Sequence, residues 1–386
     1  MNILLVNRMM GTGWGGGENY DHHLAQALEA NGHKVTILTA CPPGRKIPSQ
    51  IGGIEATGVT IPYLRRFMYQ LAGKVRRLPG LIAQLDIRIF EYASAAMVDR
   101  LVRERSIDVV QMLAIPHLAK AMLRQGHPVV MRFPGPPAWF QSAQLREIGR
   151  HRHAAMFTHG DAVRYFRSEL GIGVDEVPPG VDRALFHPDP DGSTRLCIRG
   201  ELGVGNGEFV LATVGRLIEG KGVSFLIRAM RRMAALDPNV RLVIVGGGAL
   251  EARMREEARG LERTVIFTGQ LPKPAVAAHL QASDCFCLMS DYENYSNAAV
   301  EAMATGLPVL ASRVGGFPLQ VAEGENGFLV DPGDEEGFCR QVLRLRAGAA
   351  LRKHLSAGSL EFAGSFEWHK AAGRVEEIYE RVVRGQ

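Results

Sequence analysis

From residue 290 to 311 the chain reads Ser-Asp-Tyr-Glu-Asn-Tyr-Ser-Asn-Ala-Ala-Val-Glu-Ala-Met-Ala-Thr-Gly-Leu-Pro-Val-Leu-Ala, with Glu293 and Glu301 eight residues apart. A carboxylate accepts hydrogen bonds from hydroxyl groups, so one of the pair can reach a sugar while the other holds ribose hydroxyls. Glutamates fall at any spacing by chance, and the pair takes its meaning from its surroundings. Ser296 or Asn297 is a natural N-cap, Gly306 a natural stop, and Pro308 begins the next strand. Glu301 is thus expected on a short helix whose positive end faces the ligand, and Glu293 in the loop before it. Upstream, Val214-Gly-Arg216-Leu-Ile-Glu-Gly-Lys221-Gly222 sets two cations between a strand and a helix. Arg216 can grip phosphate oxygens bidentately and Lys221 adds a mobile point charge, so together they could stabilise a departing diphosphate without a metal ion. Solvated surface charge is the plainer reading of the same two residues.

A third group of residues is Gly11-Thr-Gly13-Trp-Gly-Gly16, whose G-x-G-x-x-G spacing invites a dinucleotide site. Arg8-Met9-Met10 separates the strand from the first glycine, and Val35–Thr39 runs into Ala40-Cys41 without the carboxylate that would hold an adenosine ribose. The better reading is that Gly15-Gly16-Gly17 lets the backbone approach an anionic or sugar group at the start of the helix Glu18 to Ala30. A plain glycine loop is the alternative.

These residues need strands and helices to position them. Val-, Ile- and Leu-rich runs alternate with segments of helical period throughout, the pattern of a parallel sheet covered on both faces, and the class is α/β. In the first half the expected strands are Asn2–Asn7, Lys34–Thr39, Ile107–Met112, Pro128–Phe133 and Ala154–Thr158. In the second they are Phe209–Val214, Arg241–Val245, Thr264–Thr268, Cys285–Met289 and Pro308–Ala311. A Gly/Pro-rich passage from Val177 to Gly192 divides the two halves. The expected domains are 1–180 and 190–366, followed by a terminal helix over 367–386 for which the N-terminal domain is one available surface.

Composition narrows the classes. At 386 residues the chain exceeds the size at which a single core keeps growing. No apolar run approaches the roughly 20 residues of a membrane-spanning helix. The N-terminal apolar run lacks a basic lead-in and reads as a buried strand rather than a signal peptide, so a cytoplasmic location is expected. The five cysteines are scattered, which opposes a disulfide framework, and Cys285-Phe-Cys287 reads as core, so no metal site is assigned. The net charge of +5 decides nothing by itself, and no nucleic-acid partner is expected. Nine of the basic residues lie between 60 and 105, against four acidic ones. They include Arg65, Arg66, Lys74, Arg76 and Arg77, interleaved with Phe67, Met68, Tyr69, Leu71 and Leu78. Such a segment could touch an anionic membrane peripherally, bind an anionic acceptor, or be an ordinary solvated face.

The 290–311 segment closely resembles the signature of glycosyltransferase family 4, in which a glutamate, seven residues and a second glutamate precede Ala-Met-Ala-x-Gly-x-Pro-Val. The resemblance extends to Gly16-Gly17-Glu18, Val177–Pro188, Gly215-Arg216 with Lys221-Gly222, Val245-Gly-Gly-Gly248, Phe267-Thr-Gly269 and Gly315-Gly316. It implies the GT-B architecture, two Rossmann-like doubly wound domains facing across a cleft, with the donor on the C-terminal domain and the acceptor on the N-terminal one. It further implies a retaining, metal-independent hexosyltransferase without a cofactor. The donor would be a UDP- or GDP-linked sugar and the acceptor a carbohydrate or a lipid-linked molecule, as in polysaccharide synthesis at the inner membrane surface. Carried over, Arg216 and Lys221 bind the diphosphate, Glu301 the ribose, Glu293 the transferred sugar, and the amides near Asn297 and Ala298 the phosphate or sugar, with Gly16 and Gly17 on the donor's other side. Many members carry a histidine in the N-terminal cleft where this chain has Gln111, Leu113 and Pro134. His117 is near enough to supply that role, although a histidine near a helix start is also a common structural residue. The missing histidine leaves a non-catalytic sugar-nucleotide-binding subunit as the alternative. An epimerase or phosphorylase on the same plan is a remoter one.

Overall fold

The computed structural model describes residues 1–10, 16–62, 78–138, 141–205 and 207–386, apart from the side chains of 78–83. Gly11 to Gly15 and most of the basic cluster, from Arg65 to Arg77, lie outside the described residues. The chain divides into two compact units, Met1–Gly180 with Trp368–Gln386, and Val181–Glu367.

In unit 1 the strands are β1 (Asn2–Val6), β2 (Lys34–Cys41), β3 (Gln50–Ile51), β4 (Ile54–Thr60), β5 (Val109–Leu113), β6 (Val129–Arg132), β7 (Ala154–Thr158) and β8 (Asp175–Glu176). They form one sheet in the order β3-β4-β2-β1-β5-β6-β7-β8, parallel except for the β3–β4 hairpin. Helices α1 (Gly16–Ala30), α2 (Leu78–Glu104), α3 (Pro116–Arg124), α4 (Ser142–Ile148) and α5 (Asp161–Ser168) cover it. Strand side chains alternate between faces. Leu4 and Val6 accordingly pack with Phe90, Met112 and Phe166, while Ile3 and Leu5 pack with Leu24, Val130 and Phe157.

Unit 2 has β9 (Phe209–Val214), β10 (Val240–Val245), β11 (Val265–Gly269), β12 (Cys285–Leu288), β13 (Val309–Ser312) and β14 (Gly327–Val330), all parallel, in the order β11-β10-β9-β12-β13-β14. Its helices are α6 (Ser193–Glu201), α7 (Val223–Leu236), α8 (Glu251–Glu257), α9 (Lys273–Gln281), α10 (Asn297–Ala304), α11 (Phe317–Gln320), α12 (Glu335–Ala347) and α13 (Ala349–Gly364). Val181 and Phe186, in the stretch read as a link, are buried in this core. Cys285 and Cys287 face the core from β12, and burial pushes both thiols up.

The last helix, α14 (Trp368–Arg384), returns to unit 1 and packs on α1, β6 and β7. Its apolar stripe places Ala371, Ala372, Val375, Ile378, Tyr379 and Val382 in the core. Tyr379 donates to Gln111 Oε1 at 2.6 Å. A Cβ on Gly180 would stand 2.5 Å from the Trp368 nitrogen, so the chain's exit from and return to unit 1 lie side by side. Among the described residues no helix is long and apolar enough to cross a membrane.

Candidate active site

In an open parallel sheet, ligands bind beyond the carboxyl ends of the strands where the order reverses. In unit 2 the chain builds outward from β9 to β11 and then restarts on the other side of β9 with β12, so the reversal lies between β9 and β12. The loop after β9 carries Arg216 and Lys221, and the loop after β12 carries Glu293. Lys221 donates to Glu293 Oε2 at 2.6 Å, which joins two of the predicted residues directly. Ser290 Oγ lies 3.4 Å from the same carboxylate oxygen. Arg216 is exposed, and its side chain has no partner among the described residues.

Close backbone contacts hold these loops. Gly222 has φ +71°, and a Cβ there would stand 1.8 Å from Met289 O, so the first loop lies against the end of β12. Gly315, with φ +51°, allows the same approach to Glu293 O, which accepts from Gly316 N at 2.7 Å. The buried Gln320 receives Ser296 N and donates back to Ser296 O, fixing the residue that caps α10. Ser296 Oγ accepts from Ala299 N, as its N-cap reading requires. The amides of Asn297 and Ala298, in the first turn, have no partner among the described residues and present the positive end of the helix. Gly306, at φ +82°, follows the helix as expected.

Glu301 is on α10 and forms an ion pair with Lys273, the first residue of α9. Burial raises its pKa, and Lys273 opposes that shift by charge and by hydrogen bonding. Lys273 also lies 5.3 Å from the Phe186 ring centroid. Neither Lys273 nor Gln320 was singled out from the sequence. Each reaches the site from a distant segment through strand order alone.

Unit 1 has its own reversal, between β1 and β5. Beyond β1, Gly16 and Gly17 open α1, and Arg132 at the end of β6 donates to Gly17 O at 2.7 Å and to Asp21 Oδ1 at 2.5 Å. Arg132 is fully buried and lies over the Tyr20 ring at 4.3 Å, so it anchors the start of α1. Arg8, which spoiled the dinucleotide spacing, pairs with the buried Asp86 of α2. Beyond β5, Ala114 takes φ +50° and His117 enters on the first turn of α3. His117 N donates to Glu91 Oε1 at 2.9 Å, and its ring Nε2 lies 2.7 Å from Gln144 Nε2. Burial, with Arg88 and Lys120 adding charge, lowers the His117 pKa. Glu91 also escaped the sequence reading. It interrupts the apolar stripe Ile87, Phe90, Val98, Leu101 of α2, and a carboxylate on such a stripe was the signal.

Two parallel-sheet α/β units, each bearing polar loops at its own reversal point, make up the GT-B fold. Residues 15–180 match the glycosyl transferase 4-like domain and residues 196–360 match the glycosyl transferases group 1 domain. The chain belongs to glycosyltransferase family 4. It is 34% identical over 221 residues to the D-inositol 3-phosphate glycosyltransferase of Corynebacterium efficiens, covering 55% of this chain and 52% of that one. With the GDP-mannose-dependent alpha-(1-6)-phosphatidylinositol monomannoside mannosyltransferase of Mycolicibacterium smegmatis it shares 30% over 246 residues, 61% of this chain and 64% of the relative. The match thus spans about half the length of the D-inositol 3-phosphate glycosyltransferases. The sucrose-phosphate synthase structure from Thermosynechococcus elongatus covers 100% of both chains at 21% identity with a TM-score of 0.77, a likeness of fold.

Proposed function

We propose that this chain transfers a hexose-type sugar from a UDP- or GDP-linked donor to a carbohydrate or lipid-linked acceptor, with retention of anomeric configuration and without a metal ion. The observation that carries the reading is the gathering, at one reversal point, of an exposed arginine, the Lys221–Glu293 pair and the free amides of α10, with the half-buried Glu301 one turn further along that helix. The diphosphate fits Arg216, Lys221 and the amides of Asn297 and Ala298, while Glu301 accepts from the ribose and Glu293 from the transferred sugar. An acceptor oxygen bonds to the anomeric carbon on the face the leaving group departs from. The bond from that carbon to the phosphate oxygen breaks with its electron pair staying on the diphosphate, and the acceptor proton passes to that departing phosphate. Charge grows on the leaving group during this step, and fixed cations and amides aimed at growing charge are an effective form of catalysis. Acceptor binding is assigned to unit 1. The mannosyltransferase relative, GDP-mannose-dependent by name and acting on a phosphatidylinositol mannoside, supports a nucleotide-diphosphate donor and a lipid-linked acceptor. Such an acceptor suits an enzyme working peripherally at the inner membrane surface.

Melting temperatures measured with UDP, GDP, ADP, CMP and NAD test the donor site, since a ligand that binds only the folded state stabilises it by about 2.7 kcal/mol at 100 times Kd. One nucleoside diphosphate is expected to stabilise selectively, with the effect lost in Glu301→Ala and weakened in Arg216→Ala. Stabilisation by none of them, or by NAD alone, overturns the assignment. Turnover that survives EDTA, with an α-linked product from an α-linked donor, tests the two finer claims.

A further inference from the structure

A pocket of about 630 Å³ opens in unit 2 at the end of the sheet opposite the donor loops, where β9 begins at Phe209 and β12 follows Asp284. Three carboxylates line it, and each already has a donor on both oxygens. Asp284 takes Arg195 on one oxygen and Arg199 with the Val210 amide on the other. Glu208 takes Arg241 and the Gly205 amide, and Asp237 takes Arg346 and the Asn239 amide. The arginines, in contrast, are not used up. Arg352 donates through Nη1 alone, to the Leu345 and Arg346 carbonyls at the end of α12, and its Nε and Nη2 have no acceptor among the described residues. Arg195 Nε is in the same condition. Five arginines thus meet three carboxylates, and two positive charges are left over. With its acceptors satisfied and donors to spare, the pocket suits an anion rich in acceptor oxygens. Guanidinium groups match phosphate oxygens bidentately, and their weak hydration fits them to a half-buried wall. Leu343 and the Phe209 ring, 5.8 Å from the Arg352 guanidinium carbon, add apolar cover for the body of a small molecule.

We propose that this pocket is a second anion site, separate from the donor loops, that takes a phosphorylated small molecule. Strands β9 and β12 run from it to the loops of Arg216 and Glu293, so its ligand occupies the far end of the same two strands and not the reaction site. The proposal does not depend on the transferase reading. Isothermal titration of the full chain with ribose 5-phosphate, inorganic phosphate and ribose, at fixed ionic strength, tests it. Binding of at least one phosphate compound is expected, and none of ribose. Arg352→Gln, which removes a charge-assisted donor, should weaken that binding by about tenfold or more. Arg216→Ala, which alters the donor loop, should leave it unchanged. Ala347→Glu, which sets a carboxylate on the exposed rim of the pocket, should weaken it as well and serves if Arg352→Gln gives no cooperative melt. Failure of both phosphate compounds to bind, equal binding of ribose, or undiminished binding in either folded pocket variant overturns the proposal. Binding lost in Arg216→Ala and kept in Arg352→Gln assigns the phosphate to the donor loops and overturns it too.

Discussion

At the scale of single residues the donor site is a set of compensated charges. Glu301 is buried enough for its carboxyl to be pushed above its ordinary value of 4.5, and Lys273 is the cation that holds it down. The folded state therefore keeps a proton that the unfolded chain releases. This contributes stability at low pH that is lost as pH rises from 4.5 through the raised folded value. Ligand binding runs the other way, because accepting from two ribose hydroxyls requires the ionised form. Affinity for UDP or GDP is expected to fall as the solution is acidified through that raised value. Lys273→Ala should move the fall to higher pH, and Glu301→Gln should remove it, as nucleotide titrations from mildly acid to neutral pH would show. Glu301 was legible from its motif. Lys273 was not, because 28 residues separate the two and only the crossover from β11 to β12 brings them together.

At the scale of elements, two runs were legible to the residue, β7 and β9, and α14 lies within two residues of the expected 367–386 at either end. Four strands were missed for physical reasons, and two of them, β3 and β8, are only two residues long. In β4, Glu55 and Gly58 interrupt the apolar pattern of a half-buried strand, and β14 is a four-residue edge strand that begins with glycine. The loop after β9 shows what sequence leaves open even where an element is found. Gly220 and Gly222 look alike, yet a Cβ on Gly220 meets only Asp291 Oδ2 at 3.9 Å, while one on Gly222 collides with Met289 O. Both have positive φ, so Gly220→Ala should cost about 1–2 kcal/mol of backbone strain. Gly222→Ala adds the collision and should cost several kcal/mol, with loss of nucleotide-dependent stabilisation. Urea midpoints with and without UDP or GDP would separate the two variants. Equal costs would show that the close approach to β12 does not hold the loop.

At the scale of the whole molecule, the two-half pattern was plain from the Gly/Pro-rich break and the restart of strand rhythm. The surface covered by the last helix was not, since its amphipathic stripe fits any apolar groove of the right width. That helix buries Val375, Ile378, Tyr379 and Val382 in unit 1. At roughly 1.5–3 kcal/mol each, the loss is comparable with the ~5–15 kcal/mol that stabilise an ordinary domain. A chain ending at Glu367 is expected to lose the calorimetric transition of unit 1 while keeping a unit 2 transition that still responds to nucleotide. If both transitions survive, α14 is not part of the unit 1 core. The same arrangement sets an order of events during synthesis. The segment that builds unit 2 is continuous, whereas the sheet made first waits for a helix encoded about 190 residues after Gly180. At about 5–20 residues per second that wait is about 10–40 s, during which Ile3, Leu5, Val130 and Phe157 lack part of their cover. The first half to leave the ribosome is the last to finish folding, and a chaperone acting on this chain would meet it there.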